Sequence, residues 1–146
     1  NAADLLSHKR HVRAAFGHLD FALDIGAEPV REALAFARGQ LVIASRLAGA
    51  HPPIDSVTVD LDDTAALEDD TLHARRLGFG GKLLIHPRQV APVAAVFAPS
   101  EEEVDWARRV VAAVAQAGSG AVALDGKMVD KPVEDAARRI LARAGG

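Results

Sequence analysis

The sequence predicts an α/β fold in which parallel strands alternate with helices. Two segments rich in β-branched or aliphatic residues, 54–60 (IDSVTVD) and 82–86 (KLLIH), are each bounded by turn-forming residues, as strands are. Longer stretches with apolar residues at helical spacing flank both segments. This alternation is typical of βα units, in which crossing helices bury the strands on both faces.

The first long helix is predicted between Pro29 and Gly49. Apolar residues recur there at helical spacing, and a proline near the start and a glycine past the end are common helix boundaries. Before this helix, the segment 12–17 (VRAAFG) is predicted to be the first of three strands and ends in a glycine-bounded turn.

The second helix is predicted to begin at Thr64, acting as its cap, and to end at Gly78 in the left-handed conformation. A shorter helix is predicted over residues 87–98, with Pro92 in its middle. These helices follow the two predicted strands in turn, which completes the βα pattern.

Beyond Pro99 the pattern changes to helix, hairpin and helix. Ser100 and Glu103 form a capping-box signature at the start of a helix. The apolar runs 121–124 and 127–129 flank an Asp-Gly pair, which is typical of a tight hairpin, and a last helix closes the chain. We therefore expect two domains, an α/β part over 1–97 and a helix-hairpin-helix extension over 98–146.

Three parallel strands cannot close a barrel, and an open three-stranded sheet would expose two edges. A (β/α)8 barrel typically needs about 250 residues, whereas this chain has 146. The pattern is explained if residues 1–97 are the last three βα units of a (β/α)8 TIM barrel. We expect either that the natural polypeptide begins upstream of Asn1 or that another chain supplies the remaining strands.

Composition excludes several classes of partner. The formal net charge of -3 leaves no basic face for nucleic acid or for an anionic membrane surface. The absence of cysteine excludes disulfides and thiolate metal sites. No apolar run approaches the roughly 20 residues of a membrane span, and no signal-peptide pattern is present, so we expect a cytoplasmic protein.

Three positions, Asp20, His86 and Pro87, stand where a barrel would place its site. Asp20 follows FGHL at the predicted carboxyl end of a strand, the edge where barrel enzymes act, although it could instead cap the next turn. Asp55, in the segment PPIDSV, can be a turn aspartate at a strand start. His86 and Pro87 end the last predicted strand and would line the mouth, although a single histidine more often makes a structural hydrogen bond.

Asp130 precedes KPVED, so its side chain can cap the last helix, with Pro132 tolerated in the first turn. The residues themselves leave open whether Asp130 also takes part in chemistry.

Four motifs in order, FGHLDFALDIG, QLVIASRLAGAHPPIDSV, GFGGKLLIHPRQVAPVAAVFAPS and ALDGKMVDKPVEDAARRIL, resemble the C-terminal half of the HpcH/HpaI aldolase and citrate lyase β-subunit family. They are most similar to its acyl-CoA lyase branch. The resemblance implies a (β/α)8 barrel, with residues 12–96 at strands six to eight, followed by a C-terminal lid. Asp55 matches a recurrent family position at the barrel mouth, which implies a positioning role as the alternative to a turn aspartate.

The resemblance also implies roles for two of the acids. The aspartate of the family's FG-x-x-D element is a magnesium ligand, which corresponds to Asp20, and the partner glutamate would lie upstream of residue 1. The aspartate of the GKM-V/I-D element sits on the lid and acts as acid or base, commonly in a neighbouring subunit. This role falls on Asp130.

The implied function is a Mg2+-dependent carbon-carbon lyase that cleaves a 3-hydroxyacyl-CoA thioester of the citryl-, malyl- or citramalyl-CoA type to acetyl-CoA and a keto acid. The implied assembly is a homo-oligomer, a dimer or trimer, whose lids reach neighbouring subunits. Two alternatives stay open: a non-catalytic half-barrel assembly module, and a malyl-CoA-type thioesterase using the same site.

Overall fold

Helices dominate the part of the chain that the structure, a computed structural model, describes, namely residues 2–8, 12–117 and 122–145. The α-helices are α1 (Ala2–Leu6), α2 (His18–Ile25), α3 (Arg31–Leu47), α4 (Thr64–Leu77), α5 (Val90–Phe97), α6 (Glu101–Ala117) and α7 (Lys131–Ala144). The strands are β1 (Ile54–Asp55), β2 (Gly81–Lys82), β3 (Val122–Leu124) and β4 (Lys127–Val129), and a 3-10 helix (Pro87–Gln89) leads into α5.

The chain divides into two compact units, an N-terminal unit of residues 1–97 and a C-terminal unit of residues 98–146. In the N-terminal unit, β1 and β2 pair in parallel, and Ala15 forms a parallel bridge to Ile54. The Ile54 N–H donates to the Ala14 carbonyl and the Phe16 N–H to the Ile54 carbonyl, both at 2.9 Å. Because parallel pairing alternates with helices, the fold is α/β, as predicted.

The paired strands are shorter than the sequence predicts. Of the expected strand 54–60 only Ile54 and Asp55 pair, as β1, and of the expected strand 82–86 only Lys82 pairs, as the second residue of β2. Beyond these ladders a side chain takes the place of the strand partner: Gln89 Nε2 donates to the Thr58 carbonyl, and Gln89 Oε1 accepts from the Ile85 N–H, both at 3.0 Å. A buried glutamine therefore satisfies the backbone groups that a longer ladder would have paired.

The helices α3 and α4 form close to where the sequence predicts them. The cap of α4 is Asp63 rather than the predicted Thr64, since Asp63 Oδ1 accepts from the Ala66 N–H at 2.9 Å. Aspartate is at least as good a cap as threonine, and it stands one residue earlier. The predicted stop at Gly78 is confirmed by its left-handed φ of 100°.

The core of the N-terminal unit lies between these helices and the strands. Phe16, Ala74 and Phe79 are buried together. Partly buried apolar side chains pack around them: Phe21, Ala37, Leu41, Val42 and Leu77. Gly80 allows the chain to pass close to the 52–53 segment, because a Cβ there would lie 2.9 Å from Pro52 Cβ.

The C-terminal unit has the predicted helix, hairpin and helix. The capping box at the start of α6 is complete, with the Glu103 N–H donating to Ser100 Oγ at 3.1 Å and the Ser100 N–H to Glu103 Oε2 at 2.9 Å. β3 and β4 pair antiparallel around Asp125 and Gly126, whose φ values of 49° and 75° suit a tight turn. The first residue of the predicted hairpin, Ala121, lies outside the described residues.

The core of the C-terminal unit is a contact between α6 and α7. Ala107, Val110 and Ala137 are fully buried there. Residues from both helices and from the hairpin pack around them: Trp106, Val111, Leu124, Val129, Val133, Ile140 and Leu141. Within the described parts of the chain, no helix is long and apolar enough to cross a membrane.

Candidate functional site

Asp20 lies in the first turn of α2, three residues after Gly17, the N-cap of that helix. Its side chain is exposed, and Asp20 Oδ2 lies 3.7 Å from where a Cβ of Gly17 would be. The carboxylate therefore folds back toward the helix N-terminus, where the helix dipole favours negative charge. Over the residues that the structure covers, no hydrogen bond or ion pair engages this carboxylate, which leaves its oxygens available to a ligand.

The start of α2 is fixed by Ser56, which follows β1 and is buried. The His18 N–H donates to Ser56 Oγ at 3.0 Å, and His18 Nδ1 also contacts Ser56 Oγ. The Ser56 carbonyl in turn accepts from Lys82 Nζ at 2.7 Å. These bonds connect the carboxyl ends of β1 and β2 to the helix that carries Asp20.

Asp55 is buried beside β2 and pairs with a buried arginine of α3. Arg38 Nε donates to Asp55 Oδ1 at 3.1 Å, and both side chains are less than a tenth exposed. The Arg38 guanidinium also lies over the Phe16 ring, 5.1 Å from its centroid. This ion pair holds β1 against α3, while the role of Asp55 toward a substrate stays a prediction.

A second polar connection joins α3 to α4. Arg31 Nη2 donates to Asp70 Oδ1 at 2.6 Å and to Asp69 Oδ2 at 2.7 Å, and Thr58 Oγ1 donates to Asp70 Oδ2 at 2.7 Å. Burial alone would raise the pKa of Asp70, but the hydrogen bonds from Arg31 and Thr58 lower it below its ordinary value. Asp70 is therefore ionised at neutral pH.

Burial lowers the pKa of three basic groups near these bonds, His18, His73 and Lys82, because it disfavours their charged forms. For His18 the second cause is the Arg38 charge, and for His73 it is the Arg31 charge. For Lys82 burial is the main cause, and Asp70 and Asp55 oppose it. Both histidines are consequently neutral at pH 7, since each pKa starts from an ordinary value of about 6.5.

His86 and Pro87 begin the 3-10 helix. His86 is its N-cap, with Nδ1 accepting from the Arg88 N–H at 3.1 Å, and Pro87 occupies the first turn. The His86 ring is half-buried and Pro87 is exposed. His86 thus has a structural hydrogen bond, as single histidines often do, and its Nε2 has no hydrogen bond to any described residue.

Asp130 caps α7 in the C-terminal unit. Its Oδ1 accepts from the Val133 N–H at 3.1 Å, and its side chain is exposed. Asp130 Oδ2 has no partner among the described residues, so one oxygen serves the helix and the other faces solvent.

Several polar residues of the N-terminal unit have no assignment from the sequence: His18, Arg38, Ser56, His73, Lys82 and Gln89. Lys82 offered one signal, because a charged residue within a predicted buried strand needs a partner. The others lie on helices or in turns, where polar residues are ordinary, and only their three-dimensional contacts single them out.

The described residues include no group of three or more histidine, aspartate or glutamate side chains arranged to hold a metal ion. Magnesium usually takes one or two protein carboxylates and completes its octahedron with water and substrate oxygens. The exposed, unpaired Asp20 carboxylate fits the role of one such ligand.

The chain is similar to a known protein family and to several curated proteins. The family model HpcH/HpaI aldolase/citrate lyase matches residues 1–87. The chain is 41% identical over 141 residues to citrate lyase subunit beta of Escherichia coli (strain K12), covering 93% of this chain and 46% of that protein. It is 37% identical over 123 residues to the mitochondrial citramalyl-CoA lyase of Homo sapiens, covering 81% of this chain and 36% of that protein.

A solved structure extends the match to almost the whole chain. The crystal structure of CitE from Mycobacterium tuberculosis in complex with magnesium, acetoacetate and coenzyme A superposes with a TM-score of 0.85 and 30% identity. The match covers 99% of this chain and 56% of that one.

The parallel strands and the helices define an α/β protein, and the two curated relatives named above are a citrate lyase subunit and a citramalyl-CoA lyase. More specifically, the chain belongs to the HpcH/HpaI aldolase/citrate lyase family. It spans less than half the length of both relatives named above.

Proposed function

We propose that the protein containing this chain is a Mg2+-dependent carbon-carbon lyase. Its substrate is a 3-hydroxyacyl-CoA thioester of the citryl-, malyl- or citramalyl-CoA type, and its products are acetyl-CoA and a keto acid. Two observations support this proposal: the relatives named for citrate and citramalyl-CoA cleavage, and the solved relative that holds magnesium, acetoacetate and coenzyme A. Because the named relatives are enzymes, a non-catalytic assembly module is not favoured.

The proposed architecture is a (β/α)8 barrel of which residues 1–97 form the last three βα units, with residues 98–146 as a lid. The parallel order of the 12–16 segment, β1 and β2 supports it, since neighbouring barrel strands pair in this way. The carboxyl ends of these segments then face the side of the barrel where active sites lie.

The structural observation that carries the metal assignment concerns the carboxylate of Asp20. Its carboxylate is exposed, lies beside the N-terminus of α2 and is bonded to no described residue, while Ser56 anchors the same helix end to the carboxyl end of β1. A carboxylate needed only to cap a turn would accept backbone N–H bonds, as Asp63 and Asp130 do. The geometry therefore favours Asp20 as a metal ligand.

When bound, Mg2+ would stabilise negative charge on the 3-hydroxyl oxygen of the substrate as that oxygen becomes the carbonyl of the keto acid. Cleavage removes the proton of this hydroxyl and breaks the bond between the α and β carbons, which leaves the enolate of acetyl-CoA to take up one proton in return. We assign that proton to Asp130 Oδ2, because Asp130 Oδ1 already accepts the cap bond from the Val133 N–H. In the condensation direction the same oxygen removes the proton.

The remaining predicted residues take supporting roles. Asp55 positions the end of β1 through its bond to Arg38, and His86 and Pro87 line the mouth that the CoA arm enters. The His86 Nε2 atom is available for a substrate hydrogen bond, since Nδ1 is used by the Arg88 N–H.

The proposed assembly is a homo-oligomer, a dimer or trimer, in which the lid of one subunit supplies Asp130 to the site of a neighbour. A lid that reaches the site of a neighbour in this way would also exclude water from the enolate. The exposed hairpin, with Met128 about three-quarters exposed, is the surface that such a contact would cover.

The metal assignment is tested by comparing Asp20→Ala with Asp24→Ala in the natural full-length protein. Both aspartates are exposed on α2, so each variant removes one carboxylate from the same helix. Loss of a metal ligand should exceed the roughly 10–100-fold effect of losing a group that only orients one. Titration calorimetry with Mg2+ should therefore show about 100-fold or greater weakening for Asp20→Ala and none for Asp24→Ala. Equal affinities for the two variants would refute the assignment.

A further inference from the structure

A small polar cavity of about 90 Å3 lies among α3, α4 and the ends of β1 and β2. Its lining includes charged side chains from both helices and both strands, Arg31, Arg38, Asp55, Asp70 and Lys82, together with the neutral His73. Asp20 is not part of this lining. The cavity is therefore a feature separate from the proposed metal ligand.

Two of the lining groups have unmet hydrogen-bonding capacity. His73 Nε2 is buried and has no hydrogen-bond partner. Lys82 Nζ donates to the Ser56 carbonyl at 2.7 Å, and no described carboxylate forms an ion pair with it. An ammonium has three donors, so two of those on Lys82 still need acceptors. A buried polar atom such as His73 Nε2 destabilises the fold unless an acceptor or donor pairs with it.

The carboxylates of the lining are already engaged elsewhere. Asp55 pairs with Arg38, and both oxygens of Asp70 are taken, one by Arg31 and one by Thr58. No described carboxylate therefore bonds to Lys82, and an anion in the cavity would supply acceptors for its remaining donors.

The charges of the lining indicate that a molecule bound in the cavity would carry negative charge. Three cations, Arg31, Arg38 and Lys82, face two carboxylates, Asp55 and Asp70. Asp69 also binds Arg31, but its side chain is 66% exposed, so solvent screens its charge. Burial lowers the pKa of Lys82, and a nearby negative charge would reverse that effect.

We propose that this cavity is a binding site for a small anion with acceptor oxygens, a carboxylate or an inorganic oxyanion, held by Lys82 and His73. Lys82 donates two hydrogen bonds to the anion and retains its bond to Ser56. Neutral His73 donates a third from Nε2 as the corresponding tautomer. The volume corresponds to about three water molecules at about 30 Å3 each. It therefore suits an anion of a few non-hydrogen atoms and excludes an acyl-CoA.

The test uses the natural full-length protein and two probes, acetate and inorganic phosphate. Each is titrated calorimetrically against sodium chloride at matched ionic strength. We expect one site per chain for at least one probe, with acetate binding alone identifying a carboxylate site and phosphate binding alone an oxyanion site. Lys82→Met should weaken binding about 10–100-fold, the value of a hydrogen bond to a charged group.

Two further variants complete the test. His73→Phe keeps a ring of similar size without polar atoms, and it should weaken binding whether or not Lys82→Met folds. Lys127→Met removes an exposed lysine of β4 and should bind as the wild type does. If neither probe binds better than chloride, the cavity holds only water and the proposal fails. It also fails if His73→Phe and a folded Lys82→Met both retain full affinity.

Discussion

At the scale of single residues, one substitution separates the helix cap made by Asp130 from its proposed role as an acid or base. Asparagine caps helices about as well as aspartate does, but it cannot carry the proton. Asp130→Asn should therefore leave the stability of α7 nearly unchanged and lower kcat by about 10²–10⁴-fold, the usual contribution of general acid-base catalysis. Steady-state kinetics and thermal unfolding of the full-length protein measure both quantities.

A matched control exists in the N-terminal unit. Asp63 caps α4 through the same type of bond, from the Ala66 N–H to Oδ1, and has no proposed role in catalysis. Asp63→Asn should leave both stability and kcat unchanged. If Asp130→Asn also turned over at the wild-type rate, Asp130 would be only a helix cap.

The lowered pKa of His73 predicts how the free energy of unfolding depends on pH. Burial, followed by the Arg31 and Arg38 charges, lowers its pKa in the folded protein, so the unfolded chain takes up a proton first as the pH falls. The folded state should therefore lose stability as the pH falls from about 7 through the lowered pKa. Urea unfolding followed by circular dichroism should show a weaker pH dependence for His73→Phe. Equal slopes for the wild type and His73→Phe would contradict this account.

Residue-level prediction succeeds where the partner is nearby in sequence. The capping box of Ser100 and Glu103 and the cap by Asp130 each act within three residues, so spacing alone identifies them. The contacts of Lys82 and His18 with Ser56 span 26 and 38 residues. Spacing carries no information about such pairs, because they depend on how the strands and helices pack.

At the scale of elements, the sequence predicts the boundaries of the helices more accurately than the lengths of the strands. Helix boundaries depend on local signals such as Gly78, whereas strand length depends on partners elsewhere in the chain. The strand prediction for 54–60 could not include Gln89, whose side chain bonds to the Thr58 carbonyl from 31 residues away. The helix α2 begins at His18, inside FGHL, where the sequence indicates only a strand end.

The contact between β1 and α3 should depend on the buried pair of Arg38 and Asp55. Asp55→Ala leaves the Arg38 charge buried without its carboxylate, which typically costs about 3–5 kcal/mol. Asp62→Ala removes the partner of Arg88 in an exposed pair at 3.8 Å and should cost less than about 1 kcal/mol. Urea unfolding of the two variants checks the difference, and a similar small loss for both would show that the buried pair does not stabilise this contact.

At the scale of the whole molecule, the α/β class and the family followed from the order of elements and from four motifs, and the matching family model and relatives confirm them. The barrel, the lid and the oligomer stay proposals. A complete barrel and an oligomer would involve strands and subunits other than these 146 residues, which span 46% of the Escherichia coli relative. The second metal carboxylate, expected upstream of residue 1, belongs to the same group of proposals.

The most direct measurement is the identification of products when the natural full-length protein acts on citryl-, malyl- and citramalyl-CoA in the presence of Mg2+. Mass spectrometry of the quenched reaction should show acetyl-CoA and a keto acid from at least one substrate, with no product after chelation of Mg2+ or in Asp20→Ala. Free coenzyme A together with an intact hydroxy acid would instead identify a thioesterase. That result, or the absence of any turnover, would contradict the proposed carbon-carbon cleavage.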